Sequence, residues 1–220
     1  MKLLIDTLKY PDDHYSKNLR ILFPGSFSPF TDGHYLLAKR YIDKAIDLGY
    51  LPHLTIYMSE KNREGISSDI VYQFMKDVMF DPFIHIVKSN ISPVTSICNF
   101  LDSIKVSSLN DYTIIRSNKD HDDLIDRLIK GYQINGKYYN SYVNMVNLDI
   151  DRSPIVYHCK GSLNNTPICA RNARRAIKEN NLNNFMLNYK TILEDTPMQK
   201  EDIKDLFNKL KNFMNKNEEK

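Results

Sequence analysis

The feature that most constrains the fold of this chain is a regular alternation of short apolar runs with amphipathic segments of helical period. Strand-length apolar runs occupy residues 20–23, 54–58, 84–87 and 112–115, with further candidates at 143–148 and 155–157. Segments with helical spacing separate them. Six such runs with helices between them predict an α/β fold, namely a doubly wound, mostly parallel sheet.

The helical segments have recognisable starts and stops. We predict helices over residues 33–48, with Gly49 as the stop, and over 69–80, with Ser68 as the N-cap. Further helices are predicted from Pro93, across residues 124–129 and over 170–178. Since ligands of parallel sheets bind at the carboxyl ends of the strands, the loops after the first and fourth strands are the candidate site.

The C-terminal part of the chain predicts a separate helical extension. We assign residues 1–180 to the α/β domain and 181–220 to this extension. Thr196 is the predicted cap of an amphipathic helix, with Pro197 at its first position and apolar residues at helical spacing from Ile203 to Met214. Packing on the body of the domain is the expected role; a contact in a homo-oligomer is the second alternative, and a membrane-surface helix is the third.

Composition excludes several classes of protein. The 220 residues contain no apolar run near the ~18–20 residues that a bilayer span needs, and Asp6 interrupts the start before a signal-peptide core can form. We therefore expect a soluble, cytoplasmic protein without a membrane partner. Three widely separated cysteines argue against a disulfide framework or a zinc site. A net charge of +3, with lysines interleaved with acids, argues against nucleic acid as a partner.

The most informative segment runs from Gly25 to His34, between the first predicted strand and the first predicted helix. In this position backbone N–H groups and the positive end of a helix can bind a phosphate. Gly25 allows a sharp turn and close approach of a ligand, and Gly33 keeps the helix start without a Cβ. Thr31 and His34 are three residues apart, so both side chains can point toward one anion.

This segment resembles the signature of the nucleotidylyltransferase superfamily, roughly Gly-Ser-Phe-Asp/Asn-Pro-x-Thr/His-x-Gly-His. It follows the Thr-x-Gly-His variant found in pantetheine-phosphate adenylyltransferases and several cytidylyltransferases, with Ser28 in place of the usual acid or amide. The family's second motif, Ile-Ser-x-Thr-x-x-Arg, matches the stretch from Ile168 to Arg174. Cys169 replaces its Ser and Arg171 replaces its Thr, so two phosphate-binding hydroxyls are missing.

The resemblance implies a Rossmann-like fold and transfer of a nucleoside monophosphate, with AMP favoured, from an NTP to a small phosphorylated acceptor, with release of pyrophosphate. Mg²⁺ would accompany the NTP and no dedicated protein metal site is expected. The implied catalytic residues are His34, Thr31 and Arg174. The implied nucleotide-binding residues, which include His34 and Arg174 again, are Gly25, Ser26, Phe27, Gly33, Arg171, Lys61 and Arg63.

Several alternatives stay open at the level of sequence. The base could be cytosine, with a polyol or choline phosphate as the acceptor. The changes at Cys169, Arg171 and Arg116, which replaces a family Gly after the fourth strand, would also fit a nucleotide-binding protein that has lost turnover. Arg171, Arg174 and Arg175 could form only a basic helix face, and Lys61 and Arg63 could belong to a solvated loop.

Overall fold

The architecture is a parallel sheet with flanking helices, seen in a computed structural model that describes residues 17–47, 49–103, 111–116, 148–151 and 168–218. The described strands are β1 (Lys17–Gly25), β2 (Tyr50–Ser59), β3 (Ile84–Ser89), β4 (Asp111–Arg116) and β5 (Leu148–Asp151). The described helices are α1 (Asp32–Asp47), α2 (Ser68–Val78), α3 (Pro93–Ser103), α4 (Ala170–Lys178), α5 (Leu182–Met186), α6 (Lys190–Asp195) and α7 (Lys200–Glu218). The prediction of a mixed α/β fold is confirmed.

The described strands form one sheet in the order β3-β2-β1-β4-β5, and every neighbouring pair is parallel. The chain therefore moves from β1 outward to β3 and then returns to the other side of β1. The crevice at such a reversal, outside the carboxyl ends of the strands, is where ligands of parallel sheets bind. The segment after β1 lies at this position.

The side chains of β2 show how helices cover the sheet. Leu54, Ile56 and Met58 are fully buried and belong to the main core cluster. Tyr57 points to the other face, where its ring lies 6.4 Å from that of Phe100 in α3. Because successive side chains of a strand alternate between faces, the core cluster and α3 lie on opposite sides of β2.

The C-terminal helices pack against the same core. Phe185, Tyr189 and Ile192 are buried, as are the apolar residues along one side of α7, namely Ile203, Leu206, Phe207, Leu210 and Met214. The ring of Phe185 contacts those of Tyr189 and Phe207, at 4.8 and 5.2 Å between centroids. Residues 182–218 therefore share a hydrophobic core with the sheet.

Most predicted elements are found where the sequence placed them. The runs at 20–23, 54–58, 84–87 and 112–115 lie inside β1 to β4, and α4 matches its predicted bounds. The fifth strand is an exception, since it begins at Leu148, where the predicted run at 143–148 ends. Residues 143–147, the strand candidate at 155–157 and the helix at 124–129 lie outside the described residues.

Two predicted helix caps are wrong. The N-cap of α2 is Ser67, whose side chain accepts a hydrogen bond from the Ile70 N–H at 3.4 Å. Helix α7 begins at Lys200, four residues after Thr196. The Thr196 hydroxyl donates to the Ile192 carbonyl in the last turn of α6 and accepts from the Met198 N–H at 3.3 Å, so it organises the turn between the two helices. Asp202, the third residue of α7, accepts from the Gln199 N–H at 2.7 Å, which is the bond that the third residue makes in a capping box.

Candidate functional site

The first half of the site is the β1–α1 loop, residues 26–31, together with the start of α1. Phe27 in this loop has a φ of 46°, a left-handed conformation that bulky side chains rarely adopt. A Cβ on Gly25 would lie 2.8 Å from the Phe27 ring, so only glycine lets this ring fold back over the end of β1. A backbone outlier of this kind is frequent at functional sites.

His34 is held from several sides. Its Nδ1 accepts a hydrogen bond from the Thr31 N–H at 3.1 Å, and the Thr31 hydroxyl lies 3.2 Å from the same nitrogen. The Phe30 ring stacks on the imidazole at 5.6 Å between centroids, and the Phe27 ring meets it edge-on at 5.2 Å. Since an N–H can only donate, Nδ1 is an acceptor and the ring carries its proton on Nε2. His34 is therefore oriented as a donor through Nε2.

Thr31 and His34 are adjacent, as predicted, but they differ in exposure. Thr31 is fully buried, whereas His34 retains 9% of its surface. In this arrangement Thr31 contacts the imidazole rather than solvent, so its visible effect is to fix the orientation of the His34 ring.

The second half of the site is α4 with the two residues before it. A Cβ on Gly33 would lie 3.0 Å from the carbonyl oxygen of Ile168, so the second motif touches the backbone of the first. Arg174 extends this contact, because its Nη1 donates to the carbonyl oxygen of Ser28 in the β1–α1 loop. The two segments singled out from the sequence thus form one structural unit.

The start of α4 differs from that of α2. Its N-cap is Cys169, whose side chain makes no capping hydrogen bond. The first N–H groups of a helix are a ready anion site when a side chain does not cap them. Arg171 lies exposed on the first turn, one turn before Arg174, and Arg175 is also exposed.

The β2–α2 loop, residues 60–67, contributes a third set of groups. Arg63 Nη1 donates to Ser26 Oγ at 3.2 Å, so this predicted cation does reach the β1–α1 loop. Lys61 is exposed, and its backbone N–H donates to Ser59 Oγ at 3.2 Å. Residues 117–120, predicted to follow β4 at the same edge of the sheet, lie outside the described residues.

Two acidic residues at the site were not given a role from the sequence. Glu64 forms an ion pair with Arg174, with 2.6 Å between Oε2 and Nη2. Asp32 is fully buried and accepts from the N–H groups of Thr191 and Ile192, at 2.7 and 2.9 Å, at the start of α6. Burial outweighs these hydrogen bonds and raises the pKa of Asp32 to about 6. Both contacts join segments distant in sequence, so no local pattern could have indicated them.

The fold and the site together define a parallel α/β protein with a polar, arginine-containing site at the carboxyl end of its central strand. Comparison of the sequence with protein-family models and with curated proteins gives no match. No helix within the described ranges is long and apolar enough to cross a membrane.

Proposed function

We propose that this protein is a nucleotidylyltransferase with a Rossmann-like, doubly wound sheet. It transfers a nucleoside monophosphate, with AMP favoured, from an NTP to a small phosphorylated acceptor and releases pyrophosphate. The observation that carries the proposal is the contact between the two motifs, through Gly33 against Ile168 and Arg174 on Ser28. This contact supports the proposal because the two motifs of the resembled family bind one triphosphate and therefore have to lie together.

The position of the site supports the proposal as well. Strand order 3-2-1-4-5 puts the β1–α1 loop at the reversal of the sheet, where nucleotides bind in doubly wound folds. Arg63 and Arg174 direct guanidinium donors at this loop, and the bond that His34 Nδ1 accepts from Thr31 leaves the ring proton on Nε2. Donors of this kind suit the oxygens of a triphosphate.

In the proposed reaction an acceptor oxygen attacks the α-phosphorus in line and pyrophosphate leaves. No residue has to act as a covalent nucleophile, so catalysis consists of positioning and charge stabilisation. His34 donates through Nε2 to the phosphate whose charge increases, and Thr31 keeps the ring in that orientation. Arg174 and Arg171, with the start of α4, hold the leaving pyrophosphate, while Ser26, Phe27, Lys61 and Arg63 border the nucleotide.

We propose that Mg²⁺ arrives with the nucleotide. Within the described ranges no three His, Cys, Asp or Glu side chains lie close enough to hold a metal ion. The oxygens of a triphosphate are themselves good ligands for Mg²⁺, which commonly binds substrate phosphates and water. The ion would neutralise charge on the phosphates.

A nucleotide-binding protein without turnover is the second candidate. Two residues favour it: Cys169, whose side chain makes no capping hydrogen bond, and the exposed Arg171. Both stand where the resembled family has a phosphate-binding hydroxyl. Binding of an NTP without pyrophosphate release, over a panel of acceptors, would distinguish this candidate from the enzyme.

The first experiment is thermal stabilisation by Mg²⁺ with each of the four NTPs. A ligand at about 100 times its Kd adds about 2.7 kcal/mol to the free energy of unfolding, which is a shift of several degrees in Tm. Selective stabilisation by ATP would direct the acceptor search to nicotinamide and pantetheine phosphates, and by CTP to polyol and choline phosphates. The absence of any shift would contradict the proposed function.

A further inference from the structure

The ion pair between Glu64 and Arg174 lies inside the site proposed for phosphate. Glu64 Oε2 is 2.6 Å from Arg174 Nη2, and the Arg174 side chain is only 16% exposed. The other terminal nitrogen of this guanidinium donates to the Ser28 carbonyl oxygen. Both ends of the arginine fork are therefore occupied by acceptors from the protein.

Glu64 reaches Arg174 from a turn that does not suit glutamate. Arg63 and Ile66 pair across this turn, with hydrogen bonds of 3.2 and 2.9 Å between their backbones. The two residues between them, Glu64 and Gly65, have φ values of 52° and 75°. Two positive φ angles in a two-residue hairpin favour Asn, Asp or Gly at the first position. A glutamate there is conformationally disfavoured, and the visible gain is its ion pairing, at 2.6 Å with Arg174 and at 3.7 Å between its Oε1 and the Nε of Arg63.

The loop that carries Glu64 is braced at three points. The Ser68 hydroxyl donates to the Glu60 carbonyl oxygen, and the Ser68 N–H donates to Asn62 Oδ1 at 2.9 Å. Gly65 packs so closely on α7 that a Cβ there would lie 3.0 Å from Met214 Cγ. The backbone around Glu64 is therefore fixed, while its carboxylate, on a side chain that is 49% exposed, can rotate away.

We infer that Glu64 is an internal competitor of the ligand's phosphate at Arg174. This inference rests on the proposed function. A carboxylate and a phosphate use the same guanidinium donors, so a ligand phosphate must displace Glu64 to reach Arg174 Nη2. Glu64 thereby weakens the binding of every anion, and only one with several negative charges, such as a polyphosphate, replaces it well.

The test measures the Kd of Mg-ATP, Mg-CTP and magnesium pyrophosphate for the wild type and variants by calorimetry. Glu64→Gln removes the competing charge, and we expect it to bind polyphosphate about 2- to 5-fold more tightly, the range of a partly exposed ion pair. Glu64→Gly removes the carboxylate and also the strained φ, so it folds at least as well as the wild type and gives the same gain.

Glu60→Gln is the matched control, because it removes the same charge from the same loop at an exposed position. It should change the Kd less than about 2-fold, since the charge of an exposed side chain is screened by salt. Equal gains from Glu60→Gln and Glu64→Gln would overturn the inference in favour of general electrostatics. An unchanged Kd in Glu64→Gln would also overturn the inference, because Glu64 would then have no effect on binding at Arg174. A higher Kd would overturn it as well, because Glu64 would then position Arg174 for the ligand.

A double-mutant cycle separates this inference from the proposed function. In an Arg174→Ala background, the gain from Glu64→Gln should fall below about 2-fold, because the main group for which the two anions compete is gone and only the longer pair with Arg63 remains. If the wild type and all variants fail to bind the three probes, the proposed nucleotide site itself fails. If the wild type binds and the Glu64 variants bind equally, the site stands and only the competition is refuted.

Discussion

Gly33, on the first turn of α1, lies against the carbonyl oxygen of Ile168, just before α4. A Cβ placed on Gly33 would lie 3.0 Å from that oxygen, which is closer than most Cβ atoms approach a backbone atom. The second residue of α1 is therefore glycine because a distant part of the chain lies against it. The requirement concerns space rather than backbone conformation.

Replacing Gly33 by alanine tests this contact. In an exposed helix the change would raise the free energy of unfolding by up to about 1 kcal/mol. Here the new Cβ pushes Ile168 and α4 away, so we expect the free energy of unfolding to fall by about 1–2 kcal/mol instead. Urea unfolding of the wild type and Gly33→Ala shows whether the free energy of unfolding rises or falls. A more stable Gly33→Ala variant with unchanged Mg-NTP binding would show that α4 does not depend on this approach.

His34→Ala tests the proposed catalytic donor. Loss of one preorganised donor typically lowers kcat by about 10²–10³-fold, and we expect the Kd for the NTP to change much less. Since His34 packs between Phe27 and Phe30, His34→Asn serves as a second variant that leaves a smaller cavity. The rate of pyrophosphate release gives kcat, and calorimetry gives the Kd for the NTP. Near-normal turnover in both folded variants would remove His34 from the mechanism.

Tyr189→Phe should stabilise the protein. The Tyr189 side chain is fully buried, and within the described ranges its hydroxyl has no hydrogen-bond partner. Because a buried unpaired polar group costs about 1–3 kcal/mol, its removal should raise the free energy of unfolding by about 1 kcal/mol. That corresponds to about 2–4 °C in Tm for a chain of this size. Tyr72→Phe, at a partly exposed position on α2, is the control and should change stability by less than about 0.5 kcal/mol. Destabilisation by Tyr189→Phe would mean that the hydroxyl has a partner.

Asp32 should make stability depend on pH. Its pKa is raised from 3.8 to about 6 by burial, so the folded state binds the proton more tightly than the unfolded chain. Protonation of Asp32 therefore contributes up to about 3 kcal/mol to the free energy of unfolding. This contribution is fully present below about pH 4 and is lost as the pH rises through about 6. We expect the difference in unfolding free energy between wild type and Asp32→Asn to shift in favour of Asn between pH 4.5 and 6.5.

The control for this measurement is Asp205→Asn, which removes a carboxylate that is 60% exposed on α7. Asp205 pairs with Lys209 on the surface of the helix, so a pH effect that both variants share comes from the loss of any carboxylate. Only a change specific to Asp32→Asn is assigned to the burial of Asp32. If no such specific change is found, the carboxylate of Asp32 is ionised and well solvated throughout, contrary to its burial.

The sequence was informative wherever the signal is local. The apolar runs predicted β1 to β4. In β1 and β2 the reason is burial, since a buried strand needs apolar residues at successive positions, and the bounds of α4 follow from its spacing. The cap of α2 was misplaced by one residue because Ser67 and Ser68 are both good caps, and only the contact of Ser68 with Glu60 decides between them. Glu64 and Asp32 were missed because their partners lie in distant segments.

The hydrogen bond from Arg174 to Ser28 also bears on the order of events during synthesis. These residues are 146 positions apart in the chain, so the loop after the first strand is complete long before the arginine that organises it has been made. Closing so long a connection costs entropy that only later packing recovers. A nascent or truncated chain that ends before α4 would carry the first motif and yet lack Arg174 and the start of α4, which are half of the proposed site.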